Sequence, residues 1–273
     1  MVVVVHNFSY GLLTPALAYT MSCLGCFLGL RCTTRAREVD GRDRLRWLLL
    51  AALSIGVAGV WGMHFIAMLG FTIPGQTIRY NVPVTILSMV IAVAVVSIGL
   101  LIVGFGGDRL RPLLTGGLIV GFGVASMHYI GMSAMRMPDS MRYNVGLVIL
   151  SVIIAVVTGT VALLAALRLD TLWSAIAACL IMGVAVSGMH YTGIAAMHMY
   201  AMPTAAGGMT GRPGGASASS FLVPLILGIT ILTMFMTAAL SLSPTKAELR
   251  REDELIERIA GHGSGPALSG SDT

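Results

Sequence analysis

Seven long apolar stretches are the feature that most restricts how this chain can fold. A helix needs about 20 residues to cross a hydrocarbon core about 30 Å thick. Charged residues make up only 11% of the chain, against about a quarter in soluble domains. The stretches show no sustained alternation of polar and apolar residues, which favours helices over strands. The sequence therefore predicts an all-α polytopic membrane protein, with spans near residues 9–30, 48–69, 82–105, 113–134, 145–167, 172–197 and 221–242.

The distribution of Lys and Arg between the loops predicts the orientation of the spans. Thirteen of the 17 basic residues fall in the loops on one side and four on the other, and basic loops remain in the cytoplasm. We expect the N-terminus outside, the C-terminus in the cytoplasm, and the chain to be a multi-pass protein of the plasma membrane. The formal charge of +5 then reflects this topology and a lipid bilayer as partner, and it does not predict nucleic-acid binding.

A Met-His-aromatic phrase occurs three times, at Met63-His-Phe, Met127-His-Tyr and Met189-His-Tyr. The sequence Arg-Tyr-Asn-Val recurs as well, at 79–82 and 142–145, with matching residues downstream at the same offset of 63. The repeating unit is therefore a helical hairpin, an outgoing span with the phrase at its outer end and a returning span. We expect span six to open a third hairpin that closes through span seven. All three phrases then lie at one face of the membrane.

The remaining segments predict little beyond the membrane domain, which we place at 1–242. Residues 31–46 read as a basic connector at the lipid headgroups, and the Gly/Ser-rich residues 203–220 as a mobile outer loop. Residues 243–260 predict a short cytoplasmic amphipathic helix that contacts a partner, and 261–273 a disordered tail. Cys23 and Cys26 lie inside the first span, where small packing residues are the simpler interpretation.

Histidine is the conspicuous ionisable residue within spans that carry no Lys, Asp or Glu, and such residues mark functional sites in membranes. On a helix, His64 and Met68 share a face, as do His128 and Met132. Imidazole with thioether suits copper, whereas zinc makes little use of methionine. The competing interpretation is methionine packing beside hydrogen-bonded histidines. The candidate ligands are His64, His128, His190, Met63, Met68, Met127, Met132, Met189, Met197 and His198.

The stretches Met127-His-Tyr-Ile130 and Met189-His-Tyr-Thr192 resemble the signature of the MHYT family of bacterial integral membrane sensor domains. The resemblance covers about residues 6–242. It implies a sensor that binds copper through Met, His and Tyr near the outer face and responds to oxygen, carbon monoxide, nitric oxide or redox state. Tyr129 and Tyr191 then become accessory ligands, while Phe65 replaces the tyrosine of the first copy. Family members are often fused to output modules, so this chain is expected to signal through a cytoplasmic partner in trans.

Two other functions remain open at this point, a haem-binding electron-transfer protein and a copper transport or handling protein. A retinal photoreceptor is excluded because its Schiff base needs an intramembrane lysine, and Lys246 is the only lysine. We find no nucleophile-base arrangement, phosphate-binding glycine loop or carboxylate pair at useful spacing. The sequence therefore predicts no enzymatic activity.

Overall fold

The structure is a computed structural model that describes residues 7–74, 78–107, 109–136, 140–200 and 215–243, with 249–250, 254–256 and 259 beyond them. Seven of its helices are long and apolar enough to cross a membrane. The all-α prediction with seven spans is confirmed. Most of the predicted outer loop 203–220, most of the amphipathic helix 243–260 and the whole tail 261–273 lie outside the described residues.

The second span combines three helical segments, and short strands lie between α3 and α4, between α5 and α6, and between α7 and α8. The helices are α1 (Leu13–Glu38), α2 (Gly41–Leu53), a π-helix (Ser54–Gly62), α3 (Met63–Met68), α4 (Val82–Gly106), α5 (Leu110–Ser133), α6 (Val145–Arg168), α7 (Leu172–Ala195) and α8 (Ala218–Ser241). The strands are β1 (Arg79–Tyr80), β2 (Met135–Arg136), β3 (Ser140–Tyr143), β4 (Met197–Tyr200) and β5 (Ala216–Ser217).

The prediction that residues 31–46 form a loop between the first two spans is wrong. Helix α1 continues to Glu38, and α2 begins at Gly41. Arginine is a good helix former, and its long side chain reaches polar groups beyond the apolar part of a span. Arg37 shows how this works, since its guanidinium donates a hydrogen bond of 2.8 Å to the carbonyl of Ala166. The basic residues therefore extend the first span and join it to the end of α6.

Two small antiparallel sheets cover the end of the bundle at which the three motifs lie, here called the motif end. One sheet has the strand order β2-β1-β5, and the other pairs β3 with β4. Helices α5 and α7 stop at Ser133 and Ala195, where these strands begin. The predicted extension of the histidine face of α7 to Met197 and His198 is therefore wrong, since both residues lie on β4.

Six of the spans form a closed ring, in which each packs against the next and α7 packs back against α1. The hydroxyl of Tyr19 on α1 donates a hydrogen bond of 3.2 Å to the carbonyl of Leu180 on α7. Helix α8 lies outside the ring against α1 and the π-helix. The expectation that span seven closes the third hairpin is therefore wrong, because α1 takes that place.

A repeated backbone hydrogen bond shows that α1 is equivalent to α4 and α6. The N–H groups of Asn81 and Asn144, just before α4 and α6, each donate a bond of 2.8 Å to the carbonyl six residues after a motif histidine, Ala134 and Ala196 respectively. The N–H of Ser9 donates to the corresponding residue of the first motif, Gly70, at 3.0 Å. The ring therefore has approximate threefold symmetry, with the N-terminal helix supplying the third returning span.

Glycine allows α1 to approach the π-helix closely. A Cβ built on Gly25 would lie 2.2 Å from the backbone nitrogen of Gly59, a distance that real side chains do not reach. The contact joins backbone to backbone, so no side-chain rotation relieves it. The position of α1 in the ring depends on this glycine.

Replacing Gly25 by alanine is expected to lower the melting temperature of the purified protein, because the two helices must separate. The matched control is Gly188→Ala on α7, where an added Cβ meets nothing within 4 Å and the gain in helix propensity is up to about 1 kcal/mol. Thermal unfolding followed by circular dichroism measures both variants. Equal melting temperatures for G25A and G188A would contradict the close packing described here.

Candidate metal centre

The three motif histidines meet at the axis of the ring. His64 lies on α3, His128 on α5 and His190 on α7, and their exposed fractions are 1%, 0% and 0%. We call these three residues the histidine triad. Each stands four or five residues before the end of its helix, so the triad occupies one level about a helical turn from the motif end.

The Nδ1 atoms of the triad face one another. The distances are 3.0 Å between His64 and His190, 3.2 Å between His64 and His128, and 3.3 Å between His128 and His190. The rings stand nearly perpendicular in pairs, at 80°, 83° and 90°. Three edge-to-face imidazoles thus enclose one point with a nitrogen from each.

Hydrogen bonds alone cannot satisfy this arrangement. A ring nitrogen of imidazole either donates one hydrogen bond or accepts one. Around a triangle of such atoms, at least one pair must place two donors or two acceptors opposite each other. In a buried site an unmatched pair of this kind is costly, and a cation at the centre removes the conflict because all three nitrogens then direct lone pairs towards it.

The triangle also has the dimensions of a coordination site. A point equidistant from the three Nδ1 atoms lies about 1.8 Å from each, slightly below the bond length of about 2.0 Å between an imidazole nitrogen and zinc. A small outward movement of the rings, or a metal ion slightly out of their plane, gives a normal bond. Among the described residues, the triad is the one group of three histidine, cysteine or acidic side chains that converges closely enough to hold a metal.

Small residues on the neighbouring helices determine how the imidazoles are oriented. A Cβ built on Gly131 would lie 2.6 Å from Nε2 of His64, and one on Gly193 would lie 2.3 Å from Nε2 of His128. Both glycines stand three residues after a motif histidine, a position that Ala67 occupies in the first copy. The sequence held this signal, a small residue at the same position of each copy, but its meaning depends on which helices are neighbours.

The methionines predicted as ligands are buried in the bundle, whereas His198 lies apart from the triad. His198 is exposed on β4, where it pairs with Arg142 of β3, and it does not join the three convergent histidines. In the third copy Ile194 stands where the other two have methionine, and it is also buried. The predicted methionines are all buried: Met63, Met68, Met127, Met132, Met189 and Met197.

Comparison with known proteins agrees with this threefold architecture. Residues 58–116 and 121–179 match the MHYT family model, described as a bacterial signalling protein N-terminal repeat. The chain belongs to the MHYT family. Each matched segment runs from one motif-bearing span, through a returning span, to the next motif-bearing span, so the matches follow the hairpin repeat seen in the ring.

Curated relatives of this MHYT chain are signalling proteins. It is 31% identical over 89% of its length to the bifunctional diguanylate cyclase/cyclic di-GMP phosphodiesterase MucR, and 35% identical over 71% to the cyclic di-GMP phosphodiesterase NbdA, both from Pseudomonas aeruginosa. An uncharacterized signaling protein of Caulobacter vibrioides is 34% identical over 64% of the chain. The matches cover 35%, 25% and 21% of these proteins, so the chain spans about a third of their length or less. No solved structure matches it.

The aromatic residue of each MHYT motif supports its histidine from the side. Phe65, Tyr129 and Tyr191 pack edge-on against the preceding histidine, with ring centroids 4.7–5.0 Å apart. Edge-to-face packing of this kind adds about 0.5–1.5 kcal/mol beyond area burial. We call these three residues the aromatic wedges. Only the ring makes this contact, so phenylalanine can replace tyrosine, as Phe65 does in the first copy.

Each wedge in turn packs against an aromatic residue at the start of a returning span. The pairs are Phe65 with Tyr80 at 6.0 Å, Tyr129 with Tyr143 at 5.6 Å, and Tyr191 with Phe8 at 5.7 Å. Burial raises the pKa of Tyr80 and Tyr143, so both phenols stay neutral. Sequence reasoning missed Phe8, because its equivalence to Tyr80 and Tyr143 appears only once α1 is recognised as a returning span.

The hydroxyl groups of the two motif tyrosines have different surroundings, so we expect them to contribute differently to the stability of the protein. The Tyr129 hydroxyl lies 2.7 Å from Oγ of Ser151, whereas the buried Tyr191 hydroxyl has no hydrogen-bond partner among the described residues. We expect Tyr129→Phe to destabilise the protein by about 1 kcal/mol. Tyr191→Phe should be neutral or stabilising.

Denaturant or thermal unfolding of the metal-free protein compares Y129F and Y191F directly, because each variant is the control for the other. A larger loss of stability in Y191F than in Y129F would contradict the two hydroxyl environments.

Proposed function

We propose that this chain is the sensory part of a membrane signalling system, that its histidine triad binds one Cu(I) ion, and that this centre responds to a diatomic gas or to redox state. The observation that carries the proposal is the triangle of Nδ1 atoms 3.0–3.3 Å apart. The arrangement is buried, repeated by an internal threefold symmetry, and unsatisfied by hydrogen bonds alone. A single central cation fits all three features.

The donor set and the burial favour Cu(I) over other metal ions. Imidazole suits copper and zinc, and nearby thioethers favour Cu(I). No carboxylate joins the triad among the described residues, so three neutral ligands leave the charge of the ion uncompensated. Burying a single charge in that setting is less costly than burying a double one, since desolvation grows steeply with charge.

The protein residues hold the site rigid and dry. Copper, when bound, supplies a redox-active centre with affinity for diatomic gases. The glycines at 131 and 193 let the imidazoles of His64 and His128 turn their Nδ1 atoms inward, and the aromatic wedges prevent the rings from rotating away. The methionine that precedes each histidine in the sequence is also buried.

The π-helix supplies a route by which the state of the triad reaches α8. It ends at Gly62, immediately before Met63 and His64, and a Cβ on Gly62 would lie 2.8 Å from Cδ1 of Ile229 on α8. Near the other end of α8, the guanidinium of Arg35 donates a hydrogen bond of 3.1 Å to the carbonyl of Leu240. A shift at His64 therefore passes directly to α8 and to whatever follows it.

The signalling role is inferred from the relatives. Proteins named for cyclic di-GMP synthesis and breakdown share this domain, so we propose that α8 acts on a cytoplasmic partner in trans. The distribution of basic residues between the loops supports an orientation with the triad at the outer leaflet of the plasma membrane and the end of α8 in the cytoplasm.

The haem alternative fits the geometry less well than copper does. Two axial histidines lie on opposite faces of a porphyrin, whereas here each pair of rings packs edge to face with centroids about 5 Å apart. A macrocycle placed between any two of them would have to displace the third. Copper transport remains a weaker candidate, supported by the sulfur atoms of Cys26 and Met182 that line the bundle interior below the triad.

Removing any one triad histidine is expected to abolish tight Cu(I) binding, because two nitrogens cannot complete a trigonal site. The variants are His64→Ala, His128→Ala and His190→Ala, titrated with Cu(I) against a chelating competitor in anaerobic detergent solution. His198→Ala is the matched control, since this histidine is exposed on β4. Retention of one Cu(I) per chain in the triad variants, or its loss in H198A alone, would refute the assignment.

Gly193→Ala should weaken Cu(I) binding while leaving all three ligands in place. Its Cβ would lie 2.3 Å from Nε2 of His128, so the ring must tilt and carry Nδ1 out of the triangle. Positioning residues around metal sites change affinity by about 10–100-fold, and we expect a loss in that range. The same competition titration on Gly188→Ala, which adds a methyl to open space, should give the wild-type affinity; equal losses would point to a general effect on the helix.

A further inference from the structure

An apolar cavity occupies the interior of the ring below the histidine triad, on the side away from the motif end. Five of the six ring spans contribute to it through apolar side chains, and the π-helical second span completes the wall. Its volume is about 40 Å³. A water molecule needs about 10–15 Å³ by the same kind of measure, so the cavity has room for about three water-sized molecules.

Three valines related by the threefold symmetry lie between the cavity and the triad. Val60, Val124 and Val186 each precede a triad histidine by four residues, and all three line the cavity. Residues four apart lie one above the other on an α-helix, so Val124 and Val186 lie one turn below their imidazoles. Val60 has the same spacing from His64 but lies in the π-helix, and the three valines together are called the valine collar. Met189, the neighbour of His190, also lines the cavity. The cavity therefore lies directly next to the triad, along the axis of the ring.

The lining shows what kind of molecule the cavity accepts. Most of its lining residues are aliphatic, such as Leu100, Leu163 and Ala155, and Thr158 is the one hydroxyl-bearing residue in the wall. The Thr158 position alone does not offer the two to four polar partners that a buried water needs. Cavities of this kind stay dry and bind small apolar molecules. An ion would lose its hydration without replacement, and a lipid chain is far too long for the volume.

We propose that this cavity is a docking site for a diatomic gas molecule, which binds there transiently before it moves to the triad. The identity of the guest rests on the proposed gas-sensing function, whereas the existence of an apolar small-molecule site rests on the cavity alone. The valine collar then controls the passage of the gas from the cavity to the triad. The site selects for small uncharged molecules and against water.

Xenon is the probe for the cavity, because it is apolar, is close in size to the cavity and binds without any metal. We would titrate xenon into metal-free protein in lipid nanodiscs, follow the ¹²⁹Xe chemical shift, and subtract empty nanodiscs. Ala155→Leu fills the cavity and is expected to lower xenon affinity by about tenfold or more. Ala177→Leu is the matched control, since Ala177 is exposed on the outer surface of α7.

A second variant is expected to raise xenon affinity. A gain in affinity cannot be explained by misfolding, so this variant separates an effect on the cavity from a folding defect. Leu163 is buried in the wall, so Leu163→Ala enlarges the cavity and should strengthen xenon binding. In copper-loaded protein, A155L should slow the association of carbon monoxide and leave Cu(I) affinity unchanged. Loss of xenon affinity in A155L, retention in A177L and a gain in L163A support the site.

Xenon binding no greater than in empty nanodiscs, or binding that A155L leaves unchanged, overturns the cavity assignment. Xenon binding together with failure of the copper titration overturns the proposed metal function and leaves an apolar site in the bundle. Unchanged carbon monoxide association in A155L, with xenon displaced, overturns the link between cavity and triad.

Discussion

The convergence of three imidazole nitrogens on one point is the constraint around which this bundle is organised. Each nitrogen comes from a different helix, and all three lie within 3.3 Å of one another. Such an arrangement exists only if the three helices meet at one level and with one rotational setting. Three mutually facing imidazole nitrogens cannot all be hydrogen-bonded in matched pairs, and this is why we propose that a cation completes the group.

The rest of the ring can be understood as the support for that convergence. Glycines bring the helices close enough for the rings to meet, as Gly131 does beside His64 and Gly193 beside His128. Aromatic wedges fix the ring planes, and the three backbone bonds to the residue six positions beyond each histidine fix the level of the returning spans. Repeating one hairpin is the simplest way for a chain to supply three identical supports, because each copy needs the same small residue, wedge and cap at the same spacing.

The sequence predicted the parts of this structure that are local in the chain. Seven spans and the hairpin repeat follow from apolar length and from internal spacing, and the histidines stand out because ionisable residues are rare in spans. The sequence did not reveal which span completes the ring. Helix α1 carries no motif, and its equivalence to α4 and α6 rests on two residues. Ser9 makes the same backbone hydrogen bond as Asn81, and the ring of Phe8 packs as that of Tyr80 does. Likewise, periodicity extended α7 to His198, whereas strand pairing at the motif end interrupts the helix there.

Several departures from threefold symmetry are associated with the first motif, and they bear on the signalling route proposed above. Only His64 is preceded by a π-helix among the motif histidines, its copy has Ala67 where the others have glycine, and its wedge is Phe65. π-helical turns are rare and cluster at functional sites. Here Ser54 donates a hydrogen bond of 3.0 Å to the carbonyl of Gly25 on α1, and Gly62 meets α8. A perfectly symmetric ring would distribute any change at its centre equally among three hairpins. The π-helix precedes only His64 among the motif histidines and contacts α8, the helix outside the ring. In the route proposed above, a change at the triad is therefore transmitted to α8 and not equally to all three hairpins.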